Sequence, residues 1–179
     1  MNYQDVISFW FEELEETQWW AKDDELDNTI RERFASYHEK AVNGELFAWR
    51  QEPQGRLAEI LILDQFSRNM FRNAPWMYLW DGMALVLAQE AVNVQADQAL
   101  EPRQRAFLYM PYMHSESALI HEQAVMLFNS PGLENSYEFE LQHKAIIDRF
   151  GRYPHRNELM GRESTAEELA FLQEPNSSF

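Results

Sequence analysis

The stretch LAEILILDQFSRNMFR, residues 57–72, indicates the fold class of the chain. Its apolar residues from Leu57 to Leu63 begin a helical pattern that runs to about Arg72. Pro75 follows soon after, and proline has no backbone N–H with which to continue a helix. We therefore predict one strong helix here that ends before Pro75.

Apolar residues recur every three or four positions on both sides of this stretch, and no convincing strand alternation interrupts them. The chain is thus predicted to be all-α, with some eight or nine helices, and its length favours one domain over residues 1–179. A last, short helix is predicted after a capping box, which is formed either by Ser164 with Glu167 or by Thr165 with Glu168. The other predicted helices cover residues 3–14, Asp23 or Asp24 to Gly44, 45–50, 76–91, 103–110, Ser115 to about 130, and 136–150.

Three details of these helices are also predicted. In the helix over residues 76–91, the apolar side chains at positions 83 and 85–87 occupy nearly every side of the helix, which indicates that this helix is deeply buried. Pro111 is predicted to mark a turn after the helix over residues 103–110. Ser115 is predicted to be the N-cap of the following helix.

The composition excludes several classes of site. The chain has no cysteine, so disulfides, thiolate metal sites and cysteine nucleophiles are excluded. A net charge of -15 argues against nucleic acid and anionic membranes, because both need clustered Lys and Arg. No uncharged apolar stretch approaches the roughly 20 residues that span a bilayer, and the N-terminus lacks the pattern of a signal peptide. We therefore predict a cytoplasmic protein without a nucleic-acid or membrane partner.

One charged motif lies within the stretch that indicates the fold. Asp64, Arg68 and Arg72 are four residues apart, so on a helix an acid and two guanidinium groups share one face. These side chains are candidates for contact with a ligand. The alternative is a solvated ladder of ion pairs, which contributes little to stability.

A second charged motif is DRFGRYPHRN, residues 148–157, which combines three arginines with a histidine and two helix-breaking residues. Because Gly151 and Pro154 end the preceding helix, the arginines after them are free to approach the Asp64 to Arg72 face. We expect up to five guanidinium groups to converge and orient a small carboxylate or phosphate. The alternative is an internal network in which acids offset these charges. The candidate ligand-binding residues are Asp64, Arg68, Arg72, Arg149, Arg152 and Arg156.

Several histidines and acids are candidates for proton transfer, since imidazole titrates near neutral pH. His114 is predicted to lie beside a helix N-terminus. The alternative is that Ser115 only caps the helix and His114 bonds a backbone carbonyl. No recognised metal-ligand spacing or nucleophile elbow is present, so no metal or cofactor is predicted, and whether the protein is an enzyme stays open. The candidates are His114, Glu116, His143, Asp148 and His155.

These motifs, together with four further blocks, resemble a bacterial family known as domain of unknown function 924. The resemblance implies a tetratricopeptide-like fold, a superhelix of antiparallel helix pairs, and it implies no activity. The blocks are Phe9-Trp10-Phe11, residues 30–34, 63–72, 109–116, 149–157 and 161–165.

Two functions therefore remain open. The first is a pocket in which the Arg, His and acidic residues bind a small anionic ligand. The second is a scaffold for a protein or peptide partner, in which the arginines only hold the helices together and exposed tryptophans form the contact surface. The tryptophans considered are Trp19, Trp20, Trp76 and Trp80. Neither hypothesis specifies an oligomeric state.

Overall fold

The computed structural model describes residues 1–178, and this part of the chain is all-α and contains no strand, as predicted. Two π-helical turns, Phe9–Glu13 and Ile62–Phe66, continue the helices before them, and short 3-10 helices occupy several connections. The α-helices are α1 (Tyr3–Ser8), α2 (Asp24–Val42), α3 (Pro53–Leu61), α4 (Ser67–Met70), α5 (Asp81–Asn93), α6 (Pro102–Met113), α7 (Ala118–Phe128), α8 (Glu134–Phe150) and α9 (Ala166–Phe171). Their arrangement as a tetratricopeptide-like superhelix stays a prediction.

The predicted strong helix is the centre of the core. It consists of α3, the π turn Ile62–Phe66 and α4, so it begins four residues before the predicted start at Leu57 and ends two residues before Arg72. Helices α1, α5 and α6 all contact α3. Its apolar residues are consequently inaccessible to solvent on every side, as Leu57 and Phe66 show with 0% exposure. Within residues 1–178, no helix is both long and apolar enough to cross a membrane.

Capping side chains fix where two helices begin. Asp23 is the N-cap of α2, and its Oδ1 accepts from the backbone N–H of Glu25 at 2.8 Å. At α9, Thr165 and Glu168 form a reciprocal capping box. Of the two capping pairs that the sequence allows at α9, this one is therefore used.

The predicted deep burial of the large apolar residues on α5 is wrong. Met83 is 40% and Val86 57% exposed, whereas the residues that α5 buries are Ala84, Ala88 and Ala91. Small side chains allow α5 to approach its neighbours closely, which leaves the larger ones on the opposite face. When apolar residues lie all round a helix, their periodicity alone does not reveal which face is buried.

Two predicted boundaries around α6 and α7 are also wrong. Pro111 lies inside α6, which continues to Met113. The side chains around it are deeply buried, and this packing outweighs the cost of the missing backbone hydrogen bond. The N-cap of α7 is Ser117 and not Ser115, since the backbone N–H groups of Ile120 and His121 both donate to the Ser117 carbonyl.

A substitution at Gly55 tests the packing of α3. An added Cβ would lie 2.1 Å from the backbone carbonyl oxygen of Trp49, so the backbone must shift. We expect Gly55→Ala to destabilise the protein by about 1–3 kcal/mol. The matched control is Gly82→Ala in α5, where nothing lies within 4 Å and a gain of about 0.4–1 kcal/mol is expected. Urea unfolding measures both, and equal changes in the two variants would contradict the packing.

Candidate functional site

The carboxylate of Asp64 is the centre of the candidate site. It lies on the π turn Ile62–Phe66, a widening of the helix that often marks functional sites. Its Oδ1 accepts hydrogen bonds from His114 Nδ1 at 2.7 Å and from Arg68 Nη1 at 3.2 Å. Burial raises the pKa of Asp64, but the charge of Arg68 and the contact with His114 outweigh burial and hold that pKa below its usual range. The carboxylate is therefore ionised although its side chain is only 1% exposed.

Arg68 joins Asp64 to a second carboxylate, that of Asp81. Its Nη1 and Nη2 donate to Asp81 Oδ1 and Oδ2 at 2.9 and 3.0 Å, which is a bidentate pair. Arg156 Nη1 donates to the same Asp81 Oδ2 at 3.3 Å. Asp81 is the first residue of α5, so two guanidinium groups from distant parts of the chain share one carboxylate at this helix end.

Arg156 is buried but has few partners. The 3.3 Å bond to Asp81 is the one hydrogen bond that its side chain makes within residues 1–178, and its buried Nε makes none. Its guanidinium carbon lies 4.5 Å from the ring centroid of Tyr78 and 4.7 Å from that of Tyr153. Burial lowers the pKa of Arg156. Because a guanidinium carries five N–H donors, most of this group's hydrogen-bonding capacity is unused.

The neighbouring His155 also holds an unsatisfied nitrogen. Its Nδ1 is buried without a partner in the described part of the chain. Burial, followed by the charge of Arg156, lowers the pKa of His155 to about 4, so its imidazole is neutral at pH 7. Two adjacent residues, His155 and Arg156, thus each carry a buried nitrogen without a partner in the described part of the chain.

His114 forms a pair with Asp64. It is the C-cap of α6, and its backbone N–H donates to the Met110 carbonyl at 2.9 Å, so the predicted location at a helix N-terminus is wrong. Burial and the charge of Arg68 lower the pKa of His114, which is consequently neutral at pH 7. Since Asp64 is ionised, the neutral ring donates from Nδ1 to Oδ1. This tautomer leaves Nε2 as an acceptor, and no other described residue bonds to it.

A second buried group surrounds Tyr153. The Tyr153 hydroxyl donates to the Met113 carbonyl at 2.6 Å, and its ring centroid lies 5.7 Å from that of His143 and 6.2 Å from that of His121. His121 contacts Glu140 Oε1 through Nδ1 at 2.7 Å, and both side chains are 0% exposed. His143 Nδ1 donates to the Phe139 carbonyl at 2.7 Å, and burial lowers the pKa of His143 to about 3. This group fixes the segment that carries Arg156.

Glu116, a predicted candidate for proton transfer, holds the same segment. Its Oε1 accepts from the Tyr153 backbone N–H at 2.8 Å, and it forms a bidentate pair with Arg162 at 2.5 and 2.9 Å. Burial raises the pKa of Glu116, but the bonds from Arg162 and from the Tyr153 backbone N–H, together with the charges of Arg156 and Arg162, lower that pKa overall. Glu116 is therefore a carboxylate that is already committed to a structural pair.

The predicted convergence of five guanidinium groups is wrong, since only Arg68 and Arg156 meet. The others each bond a different carboxylate that is closer to them, and Asp148 is also paired outside the site. These pairs are Arg72 with Asp27, Arg149 with Glu167, Arg152 with Glu168, and Lys144 with Asp148. The internal network that the sequence left open thus accounts for most of the charges.

Sequence inspection missed two residues of the site, Asp81 and Tyr78. Both lie where the helix over residues 76–91 was predicted, which begins as a 3-10 turn, Pro75–Tyr78, and continues as α5. An acid at the first position of a helix is a favourable feature, but the helix was predicted to begin at residue 76, which placed Asp81 inside it. Within residues 1–178, no three His, Asp or Glu side chains gather as potential metal ligands.

Two open depressions in the surface lie elsewhere. One of about 510 Å³ is lined by residues that include Asp5 and Arg33, and one of about 460 Å³ by residues that include Trp19 and Arg103. Arg33 is already paired with Glu13 at 2.6 Å. We place the candidate site at the Arg68 and Arg156 cluster instead, because two of the four side-chain nitrogens that are buried without a partner in the described part of the chain, His155 Nδ1 and Arg156 Nε, belong to adjacent residues there.

The four tryptophans do not form one exposed surface. Trp20 is 64% and Trp76 57% exposed. Trp19 is half-buried, and its indole N–H donates to the Trp10 carbonyl at 2.8 Å. Trp80 is also half-buried, with its ring centroid 4.5 Å from that of His38. The tryptophan contact surface that was predicted for a scaffold is therefore reduced to two separate residues.

Comparisons with known proteins give a family and a related structure. A family model described as a bacterial protein of unknown function (DUF924) matches residues 6–176. The chain is also similar to the solved structure of ATU0120 from Agrobacterium tumefaciens, a protein of unknown function. The two chains are 36% identical over 96% of each, with a TM-score of 0.91. No match was found among curated proteins.

Proposed function

Because the chain belongs to the DUF924 family of bacterial proteins of unknown function, we propose its function from the site itself: it binds a small anionic ligand, a carboxylate or a phosphate. The ligand contact is Arg156, with His155 and His114 beside it. Arg68 adds positive charge next to this contact, although its own donors are paired with Asp81 and Asp64. Arg72, Arg149 and Arg152 are not part of this proposal, because each is already paired with a carboxylate of its own.

The observation that carries the proposal is the poor compensation of Arg156. Buried polar groups in proteins are almost always hydrogen-bonded, and an exception calls for a bound water, an ion or a function. Arg156 makes a single long bond, to a carboxylate that Arg68 already holds in bidentate fashion. A bound anion would supply the acceptors that the protein does not.

The surroundings of Arg156 favour a planar, directional contact. Its guanidinium lies between the rings of Tyr78 and Tyr153, which orients the plane of its donors. Carboxylates and phosphates match that planar geometry with two parallel hydrogen bonds. The Arg68 guanidinium carbon lies 5.7 Å from the Tyr78 centroid, so the second cation borders the same ring.

Thermal unfolding with a panel of anions tests the proposal. We expect phosphate, succinate or citrate to raise the melting temperature above that in chloride at equal ionic strength. An anion at 100 times its Kd adds about 2.7 kcal/mol of stability. Arg156→Gln should abolish this response. Arg149→Gln, which breaks an exposed pair on the preceding helix, should retain it.

The outcomes separate binding from structure. If none of the anions stabilises the wild type, or if Arg156→Gln and Arg149→Gln respond equally, anion binding at Arg156 is wrong. An Arg156→Gln variant that unfolds on its own is checked with Arg156→Lys, which keeps the charge and removes the planar donor.

A second candidate function is protein interaction. Leu79, Met83 and Val86 are 58%, 40% and 57% exposed, and their spacing places them on one face of α5 and the turn before it. Exposed apolar faces of this kind are typical of contact sites. Under this function the Arg156 cluster is structural, so Arg156→Gln should lower stability and no anion should stabilise the wild type.

A further inference from the structure

We propose that Asp64 and His114 form a general-base pair that activates water to hydrolyse an ester of the bound anion. This inference rests on the proposed function and adds a reaction to it. His114 is the catalytic residue, because its Nε2 is the ring nitrogen that the bond to Asp64 leaves without a partner among the described residues. Asp64 is a positioning residue, which acts through His114.

The geometry of the pair is that of a histidine held for proton transfer. Asp64 Oδ1 lies 2.7 Å from His114 Nδ1, and this bond fixes both the tautomer and the plane of the ring. The carboxylate itself is fixed by Arg68 and by Gln65, whose Nε2 donates to Oδ2. Each part of the pair is thus held by a further group, which is the arrangement that general bases need.

A general base must be accessible to water, and of the two residues His114 is more exposed to solvent than Asp64. The Asp64 side chain is 1% exposed and that of His114 15% exposed. Water therefore reaches the imidazole but not the carboxylate. Ser67, the nearest serine on the helix that carries Asp64, is 0% exposed and lies 2.9 Å from His38 Nε2. It is not available as a nucleophile, which favours direct attack by water.

The reaction balances without a further reagent. Water attacks the acyl carbon of an ester whose anionic group is held by Arg156, and His114 Nε2 accepts a proton from that water. The bond between the acyl carbon and the leaving oxygen then breaks. The leaving oxygen takes the proton from His114, which returns the neutral base, and an acid and an alcohol are the products.

The first experiment needs no substrate. Diethyl pyrocarbonate acylates neutral, accessible imidazoles, and mass spectrometry locates the modified histidine. We expect His114 to react faster than the buried His121 and His143, and Asp64→Asn to slow it at least tenfold. Nitrogen-15 NMR should show the Nδ1–H tautomer of His114 in the wild type and its loss in Asp64→Asn. A merely structural Asp64 would leave both readouts unchanged.

The second experiment measures hydrolysis of 3- and 4-acetoxybenzoate, which place a carboxylate at two distances from an acetyl ester. We expect at least one to be hydrolysed faster than phenyl acetate, which lacks the anchor. His114→Gln should reduce that rate by about 10²–10⁴-fold, the usual contribution of a general base. Arg149→Gln should leave it unchanged. The rate should rise with pH to a plateau, and the midpoint of the rise should lie below the ordinary histidine pKa of about 6.5, because burial lowers the pKa of His114.

The two experiments separate this inference from anion binding. Anion stabilisation without hydrolysis of either ester, or with equal rates in the wild type and His114→Gln, overturns the general base and leaves the binding proposal standing. Anion binding and the general base are both supported if Arg156→Gln hydrolyses the acetoxybenzoates no faster than phenyl acetate while its His114 still reacts with diethyl pyrocarbonate. If His114 reacts no faster than His121, the base assignment is wrong even where anions bind.

Discussion

His121→Ala is expected to lower the free energy of unfolding by about 3–5 kcal/mol, because it breaks a buried pair and leaves one partner behind. The Ser115 carbonyl can only accept, so His121 Nε2 must donate to it at 2.8 Å. The 2.7 Å contact between His121 Nδ1 and Glu140 Oε1 then holds one further proton. Without His121, Glu140 remains 0% exposed and has no partner for that proton.

Urea unfolding at pH 7 measures the loss, and two controls interpret it. Lys144→Ala breaks an exposed ion pair on the same helix, α8, and should cost less than about 1 kcal/mol. The double change His121→Leu with Glu140→Leu replaces the pair by apolar groups and should recover most of the loss. A single variant that costs no more than Lys144→Ala would contradict the buried pair.

Acidification is the second large effect, and it should destabilise the protein between pH 6.5 and pH 4. Burial lowers the pKa of His38 and of His155 to about 4, below the unfolded value of about 6.5. The unfolded chain therefore binds more protons in this window, and stability falls as pH falls. At about 1.4 kcal/mol per pKa unit, each histidine removes about 2 kcal/mol between pH 7.5 and pH 5.

The carboxylates of the protein limit the pH range in which the effect of the histidines on stability can be measured separately. The pKa values of Asp64 and Glu168 are lowered, so these carboxylates stay ionised down to about pH 4.5. Burial raises the pKa of Glu140, so the effect of Glu140 on stability as pH falls is opposite to that of the histidines. A parallel series with Glu140→Gln removes this contribution. Unfolding free energies at pH 7.5, 6 and 5 give the slope. The lowered pKa values of His143 and His114 add to the same slope. His38→Gln should therefore reduce the slope by about a third or less. A flat profile would show that these imidazoles are not neutral in the folded protein.

The sequence predicted those parts of the fold that depend on local order. The stretch over residues 57–72 combined apolar periodicity with a nearby proline, and it became the central helix. Asp23, one of the two predicted caps, is the N-cap of α2, since a cap depends only on its own turn. The face of α5 could not be predicted in the same way, because alanine and larger apolar residues alternate around it.

The ion-pair partners of the charged residues could not be predicted from local sequence, because the partners are far apart in the chain. Asp81 and Arg156 are 75 positions apart, and Arg72 and Asp27 are 45 apart. A motif such as residues 148–157 shows which groups need partners but not which carboxylate lies nearest. Arg152 and Arg156 look equivalent in the sequence, yet the first forms a bidentate pair with Glu168 and the second remains poorly bonded.

The segment that carries Arg156 is fixed at both ends, by Arg152 with Glu168 before it and by Arg162 with Glu116 after it. A loop that orders only when its ligand arrives loses conformational entropy at that moment, and its affinity falls accordingly. Here the backbone around Arg156 is ordered when the chain folds. Binding of an anion as proposed would then need little further ordering of this segment, so the entropic cost of association would be smaller by the cost of ordering such a loop.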